Sequence, residues 1–138
     1  VNEYVDQCIK DYEIKCDSPD DPVRLLSGGN IQKVVVAREF TCGSNLIVAS
    51  QPTRGIDVGT SEMIRKTLIR KARQDDVATL LISSDLNEVL EVSDRLLVIY
   101  KGQFVAHFTK PSEISEELLG EYMLGNRRMS EQEMGEYV

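Results

Sequence analysis

No apolar run in these 138 residues approaches the ~20 that a membrane-spanning helix needs. No signal-peptide pattern opens the sequence. Cysteines are few and odd in number, and no two of Cys8, Cys16 and Cys42 lie at metal-ligand spacing. They read as free thiols in a reducing cytoplasm rather than as a disulfide framework. The single histidine, His107, has no acidic or cysteine partner beside it and reads as structural. Basic residues number 16 against 23 acidic ones, a formal charge of −7. Lys and Arg gather on no predicted face, which argues against a nucleic-acid partner. The densest acidic run, Glu113 to Glu121, alternates with Ile114, Leu118 and Leu119 and reads as the wet side of an amphipathic helix.

What is present suits one globular α/β domain, with 41% apolar residues. Its most informative stretch is Leu26-Ser27-Gly28-Gly29-Asn30-Ile31-Gln32-Lys33. From Gln32 the chain runs helical, with Ile31, Val34, Val35 and Arg38 at spacings of three and four. Ser27 is the N-cap, and the glycines leave backbone N–H groups open to an outside acceptor. A helix N-terminus with bare amides and a small hydroxyl suits an anion such as phosphate. The plainer alternative is a glycine turn ahead of an ordinary helix.

Further on, Leu46-Ile47-Val48-Ala49 is a continuous apolar run, the pattern of a buried parallel strand. It leads through Ser50-Gln51-Pro52-Thr53-Arg54-Gly55-Ile56 to Asp57, the predicted N-cap of a helix. That helix carries Thr60, Met63, Ile64, Thr67 and Leu68 on its apolar side. A second buried strand, Ala78 to Ile82, is followed by Ser83-Ser84, and Asp85 with Glu88 has capping-box spacing for another helix. The runs 96–100 and 103–108, joined through Lys101-Gly102, read as an edge hairpin. Ahead of these, Val1, Tyr4, Val5, Cys8, Ile9 and Tyr12 form one helical stripe, broken by Asp17-Ser18-Pro19-Asp20-Asp21-Pro22. That acidic stretch reads either as a solvated loop or as a contact face. Met129, Ser130 and the glutamate-rich end from Glu131 to Val138 are expected to fray.

This order of segments resembles the second half of an ATP-binding-cassette domain. L-S-G-G-N-x-Q-K looks like the family's signature motif, and Ser50-Gln51 sits where the family has its Walker B acidic pair. Residues Pro52 to Asp57 match the D-loop, and Ser84 falls at the switch-histidine position. Asn30, P-T-R-G-I-D-V-G and I-S-S-D-L-N-E-V look like the second cassette of double-cassette importers of simple sugars and nucleosides, and Ala49-Ser50-Gln51-Pro52 leans to the nucleoside branch.

The resemblance implies a partial P-loop NTPase core of the RecA-like kind, with part of the helical subdomain and without the Walker A half. G-x-x-x-x-G-K-[ST], the loop that cradles phosphates, does not occur. The implied boundaries are 1–26 for the end of the helical subdomain, 27–110 for the signature helix and core, and 111–138 for a final helix and tail. The chain is expected to be a carboxy-terminal fragment of a longer protein. Ser50 and Gln51 lack the carboxylates that hold magnesium and polarise water, and Ser84 is shorter than histidine and cannot become cationic. The cassette's own site is therefore expected to hydrolyse poorly.

In the family two cassettes face each other head to tail, so Ser27, Gly28, Gly29 and Asn30 would close the ATP site of a partner cassette. Arg54, Gly55 and Asp57 would lie at the cassette interface. Expected partners are that cassette, membrane permease subunits and, through the complex, a solute-binding protein. ATP and Mg2+ would serve the full-length protein, at the cytoplasmic face of the cell membrane. The chain alone is expected to be inactive, to hold no cofactor and to self-associate through an uncovered sheet edge. Gly29→Asp is expected to abolish ATPase while leaving the fold largely intact, because the position reads as a surface turn. The competing readings are a repair- or ribosome-associated cassette ATPase and a silent module that only docks a permease.

Overall fold

A computed structural model describes residues 2–135. They fall into two compact units, one ending at Ile82 and the other beginning at Ser83. The first unit opens with α1, Asn2–Asp11. Glu13 (φ 50°) sits in the left-handed region just past the helix. There the Ile14 amide donates to the Ile9 carbonyl at 2.9 Å and the Glu13 amide to that of Lys10 at 3.3 Å. This Schellman pattern stops the helix ahead of the Asp17–Pro22 stretch. Cys8 and Ile9 pack against the core and Tyr12 is buried, whereas Tyr4 is 54% exposed. The predicted stripe thus buries only its C-terminal half, and Val1 lies outside the described residues.

After a 3-10 turn at Val23–Leu25, α2 spans Gly28–Thr41 and buries Val36, Ala37 and Phe40. Strand β1, Leu46–Ser50, runs parallel to β2, Ala78–Ile82, in the register Leu46↔Ala78 to Ser50↔Ile82. The crossover between them is α3, Val58–Gln74, which buries Thr60, Ser61, Ile64, Thr67 and Leu68. The core of this unit joins Tyr12, Ile14, Val36, Ala37, Phe40, Ile47, Ile64 and Leu68.

Both strands depart from expectation in one respect. A continuous apolar run predicts burial on both faces, but only one face is covered. Ile47 is buried, while Leu46 (57%), Val48 (59%), Leu80 (54%) and Ile82 (48%) stay exposed. Side chains alternate across a strand, and α2 and α3 supply apolar partners for one of the two faces only.

The second unit holds α4, Leu86–Val92, and the hairpin of β3, Leu96–Tyr100, with β4, Gln103–Phe108. Its turn, Lys101-Gly102, has both φ values positive, at 48° and 76°. That is the two-residue geometry whose twist matches antiparallel strands. A register shift between Val98 and Ile99 leaves Val105 as the extra residue. The expected helix over the acidic run begins only at Glu116, capped by Ser115, as α5 (Glu116–Met123); Pro111–Glu113 forms a separate 3-10 turn.

The tail is a correction. Residues 129–134 are held rather than frayed. Ser130 and Glu133 form a reciprocal capping box on α6, Glu131–Met134. The Met129 amide donates to the Val105 carbonyl at 2.9 Å, and His107 Nδ1 lies 2.9 Å from the Met134 carbonyl. The bulge at Val105 leaves its carbonyl available for this contact. Residues 136–138 lie outside the described ones.

Candidate functional site

The chemistry-bearing motifs of the first unit meet at the start of α2. Ser27 is the N-cap, and both glycines lie inside the first turn rather than ahead of the helix. The Ser27 hydroxyl oxygen accepts from the Asn30 amide at 3.4 Å and from Asn30 Nδ2 at 2.9 Å. A hydroxyl has two acceptor positions and one proton. With both acceptor positions engaged, its O–H remains to be donated outward. The amides of Gly28 and Gly29, at the first and second helical positions, have no acceptor within the helix. Ser27 and Gly28 are exposed, so the turn presents donors of one kind at the positive end of a helix.

The other side chains of this segment turn inward. Asn30 Oδ1 accepts from the Lys15 amide at 2.8 Å. Lys33, 9% exposed, donates to the Glu13 carbonyl at 2.9 Å, which makes it a fastener for the segment that follows α1. Gln32 Nε2 donates to the Pro52 carbonyl at 2.9 Å, tying α2 to the loop between β1 and α3. Sequence reasoning gave no role to Gln32, because its partner lies 20 positions away.

That loop follows Ser50, the exposed last residue of β1. Gln51 adopts φ 49° and donates its amide to the Ile82 carbonyl at 2.7 Å, extending the pairing with β2 by one step. The Arg54 amide returns to the Gln51 carbonyl at 3.2 Å, a turn with Pro52 at its second position. Arg54 and Gly55 (φ 75°) are exposed at its apex. Asp57 caps α3: Oδ1 accepts from the Thr60 amide at 2.9 Å and Oδ2 from the Thr60 hydroxyl at 2.8 Å. The Thr60 amide hydrogen bond, then its hydroxyl, hold the Asp57 carboxyl below its usual pKa, and the Lys33 charge adds to this.

Gly29 faces this cap. A Cβ on Gly29 would sit 3.0 Å from Asp57 Oδ2 and 3.3 Å from Thr60 Oγ1, whereas one on Gly28 would meet nothing within 4 Å. The premise that Gly29 lies in a surface turn is therefore corrected: it sits in the first turn of α2, half-buried beside the α3 cap, and a side chain there would require Asp57 to give way. Ser84 is exposed and belongs to the second unit, beside Ser83, whose hydroxyl accepts from the Asp85 amide at 3.1 Å. Neither Ser50 nor Gln51 offers a carboxylate for a magnesium ion. Among the described residues no group of three or more His, Cys, Asp or Glu side chains could hold a metal. No described helix is long and apolar enough to cross a membrane.

Comparison with solved structures defines the class. An inward-facing putative metal-chelate type ABC transporter matches with a TM-score of 0.73 at 19% identity, over 89% of this chain and 48% of that one. The MJ1267 ATP-binding cassette of an ABC transporter matches with a TM-score of 0.71 at 24% identity, over 90% of this chain and 48% of its own. The fold is thus a part of the ATP-binding-cassette ATPase, and the expected α/β class holds.

Sequence relatives narrow this further. The guanosine import ATP-binding protein NupO of Bacillus subtilis is 40% identical over 118 residues, 86% of this chain. The ribose import ATP-binding protein RbsA 3 of Rhizobium meliloti is 45% identical over 124 residues, 89% of this chain. The glucose import ATP-binding protein TsgD13 of Haloferax volcanii is 44% identical over 100 residues, 72% of this chain. These matches cover 23%, 24% and 18% of the relatives, so the chain spans about a fifth to a quarter of their length. No family model matches the chain. The chain belongs to the ATP-binding-cassette family, and the relatives it matches are sugar and nucleoside import ATP-binding proteins.

Proposed function

We propose that the chain is part of the ATP-binding subunit of an importer for nucleosides or simple sugars, the second cassette of two, and that it closes the ATP site of a partner cassette. The observation that carries this reading is the cluster of outward donors at Ser27, Gly28 and Gly29, with Asn30 holding the hydroxyl in its donating orientation. Donors to an ionised oxygen contribute about 1.5–3 kcal/mol each. The donor set fits a phosphate of ATP presented from outside the chain. Arg54, Gly55 and Asp57 would form the cassette interface, consistent with the exposed apex of their loop.

The site of this cassette itself is degenerate in the same reading. Ser50 and Gln51 supply no carboxylate for Mg2+ or for an attacking water, and Ser84 supplies no imidazole. We assign no step to these positions. Gln51→Glu alone should restore little turnover there, because Ser50 and Ser84 remain. The whole protein would work with ATP and Mg2+, bound to permease subunits on the cytoplasmic side of a membrane, with a solute-binding protein in the complex and no nucleic acid. Its parts would be 1–26 from the helical subdomain, 27–110 from the core and 111–138 as a terminal helix and tail. The isolated chain would be inactive and would self-associate through the apolar face at Leu46, Val48, Leu80 and Ile82.

The test is Gly28→Glu in the assembled transporter. A carboxylate there opposes a phosphate, and the open space around Gly28 leaves the fold intact. ATPase and uptake should fall more than tenfold. Near-parental turnover would refute the signature assignment and leave a silent docking module or a non-transport cassette as the alternative.

A further inference from the structure

We infer that Gln32 is a positioning residue: it clamps the loop from Gln51 to Asp57 onto α2, so that the nucleotide-facing turn and this loop move as one body. The inference rests on the proposed role of Ser27 to Gly29. The clamp has two points, both within the first unit. At one end Gln32 Nε2 donates to the Pro52 carbonyl at 2.9 Å. At the other, Gly29 lies close against the cap of α3: a Cβ there would sit 3.0 Å from Asp57 Oδ2 and 3.3 Å from Thr60 Oγ1. The positions holding the two ends, Gly29 and Gln32, lie three apart on α2 and so close together on one side of it.

The helix side of the clamp is fixed in turn. Asn30 binds the Lys15 amide and Lys33 binds the Glu13 carbonyl, so the first turns of α2 are fastened to the segment that follows α1. The loop also has a fixed root, because the Gln51 amide pairs with the Ile82 carbonyl at 2.7 Å. Arg54 and Gly55 stand clear at the apex. A loop held at two points on one rigid element follows that element, and side chains locked by such contacts are what hold a binding surface in register. A phosphate drawn to Ser27, Gly28 and Gly29 would thus be felt at Arg54. Gln32 makes the one side-chain hydrogen bond in this arrangement that joins α2 directly to the loop backbone among those described.

Two variants test this in the assembled transporter. Gln32→Met keeps the length and removes the donor, and Gln32→Glu keeps the shape and sets a carboxylate against a carbonyl. A nitroxide on Arg54→Cys, with Cys8, Cys16 and Cys42 changed to Ser, reads loop motion. We expect kcat to fall about three- to tenfold, the range one neutral hydrogen bond supports. KM for ATP should hold, and the label should move faster. Parental kcat with unchanged label motion overturns the inference. So does a raised KM at constant kcat, which would make Gln32 a contributor to ground-state binding. Loss of the whole fold in both variants also overturns it, because Gln32 would then hold the core and not the loop. Parental activity in Gly28→Glu overturns the underlying reading instead, and label motion in Gln32→Met still decides the clamp.

Discussion

The carboxylate of Asp57 stands 3.0 Å from the point a Cβ on Gly29 would occupy. A residue singled out for facing a nucleotide is thus also glycine for a reason inside its own chain. The two glycines of the turn can therefore be told apart by experiment. Gly28→Ala should melt with the parental protein. Gly29→Ala should melt below Gly28→Ala, because Asp57 and Thr60 must give way to its methyl, and Gly29→Asp lower still, since it brings two carboxylates together. Equal denaturation midpoints for Gly28→Ala and Gly29→Ala would refute the packing argument.

Asp57 itself should give the fold an acid limit. Its folded-state pKa lies below the ordinary 3.8. Its contribution is therefore fully present above that value and is lost as pH falls through the depressed folded pKa. Asp57→Asn keeps a capping oxygen and should flatten this part of the stability profile. Asp57→Ala should lower stability at neutral pH as well. Urea midpoints measured between neutral and strongly acid pH check both, and an Asp57→Asn profile as steep as the parental one would count against the assignment.

The alkaline limit should come from Tyr12. Burial is the largest influence on its phenol and raises its pKa above 10.0, outweighing the opposing charge of Arg70. The unfolded chain then releases this proton before the folded one does. Stability from this group is fully present below pH 10.0 and is lost as pH rises through the higher folded value. Tyr12→Phe should remove that loss. Midpoints taken across the same range, with tyrosinate absorbance followed in parallel, would show it; an identical alkaline decline in Tyr12→Phe would assign the effect elsewhere.

His107 ties the tail to the hairpin. The Arg95 guanidinium lies 3.2–3.3 Å from Nε2, and because it can only donate, Nε2 accepts. The ring proton then sits on Nδ1 and is donated to the Met134 carbonyl, 2.9 Å away. His107→Ala should cost about 0.5–1.5 kcal/mol and raise hydrogen exchange in α6 while β3 keeps its protection. Unchanged exchange at the Met134 amide would show that the Met129 and capping-box contacts suffice.

Much of this was legible in the sequence because it is local. The caps at Ser27, Asp57 and Asp85 each bind an amide three residues on, and the Lys101-Gly102 turn joins adjacent runs. The spans of β2, β3 and β4 match those read from the apolar runs. Such features depend on side-chain type and short spacing, which a sequence displays directly. The tertiary structure alone decided the rest. It put Gly29 against Asp57 and Gln32 on Pro52, left one face of β1 and β2 uncovered, and gave the tail the Val105 carbonyl to hold. These contacts join residues 20 or more positions apart, and no local pattern shows which distant group will stand opposite. That is settled only when α2, α3 and the strands pack, and when the bulge in β4 turns a carbonyl toward a segment with no periodicity of its own.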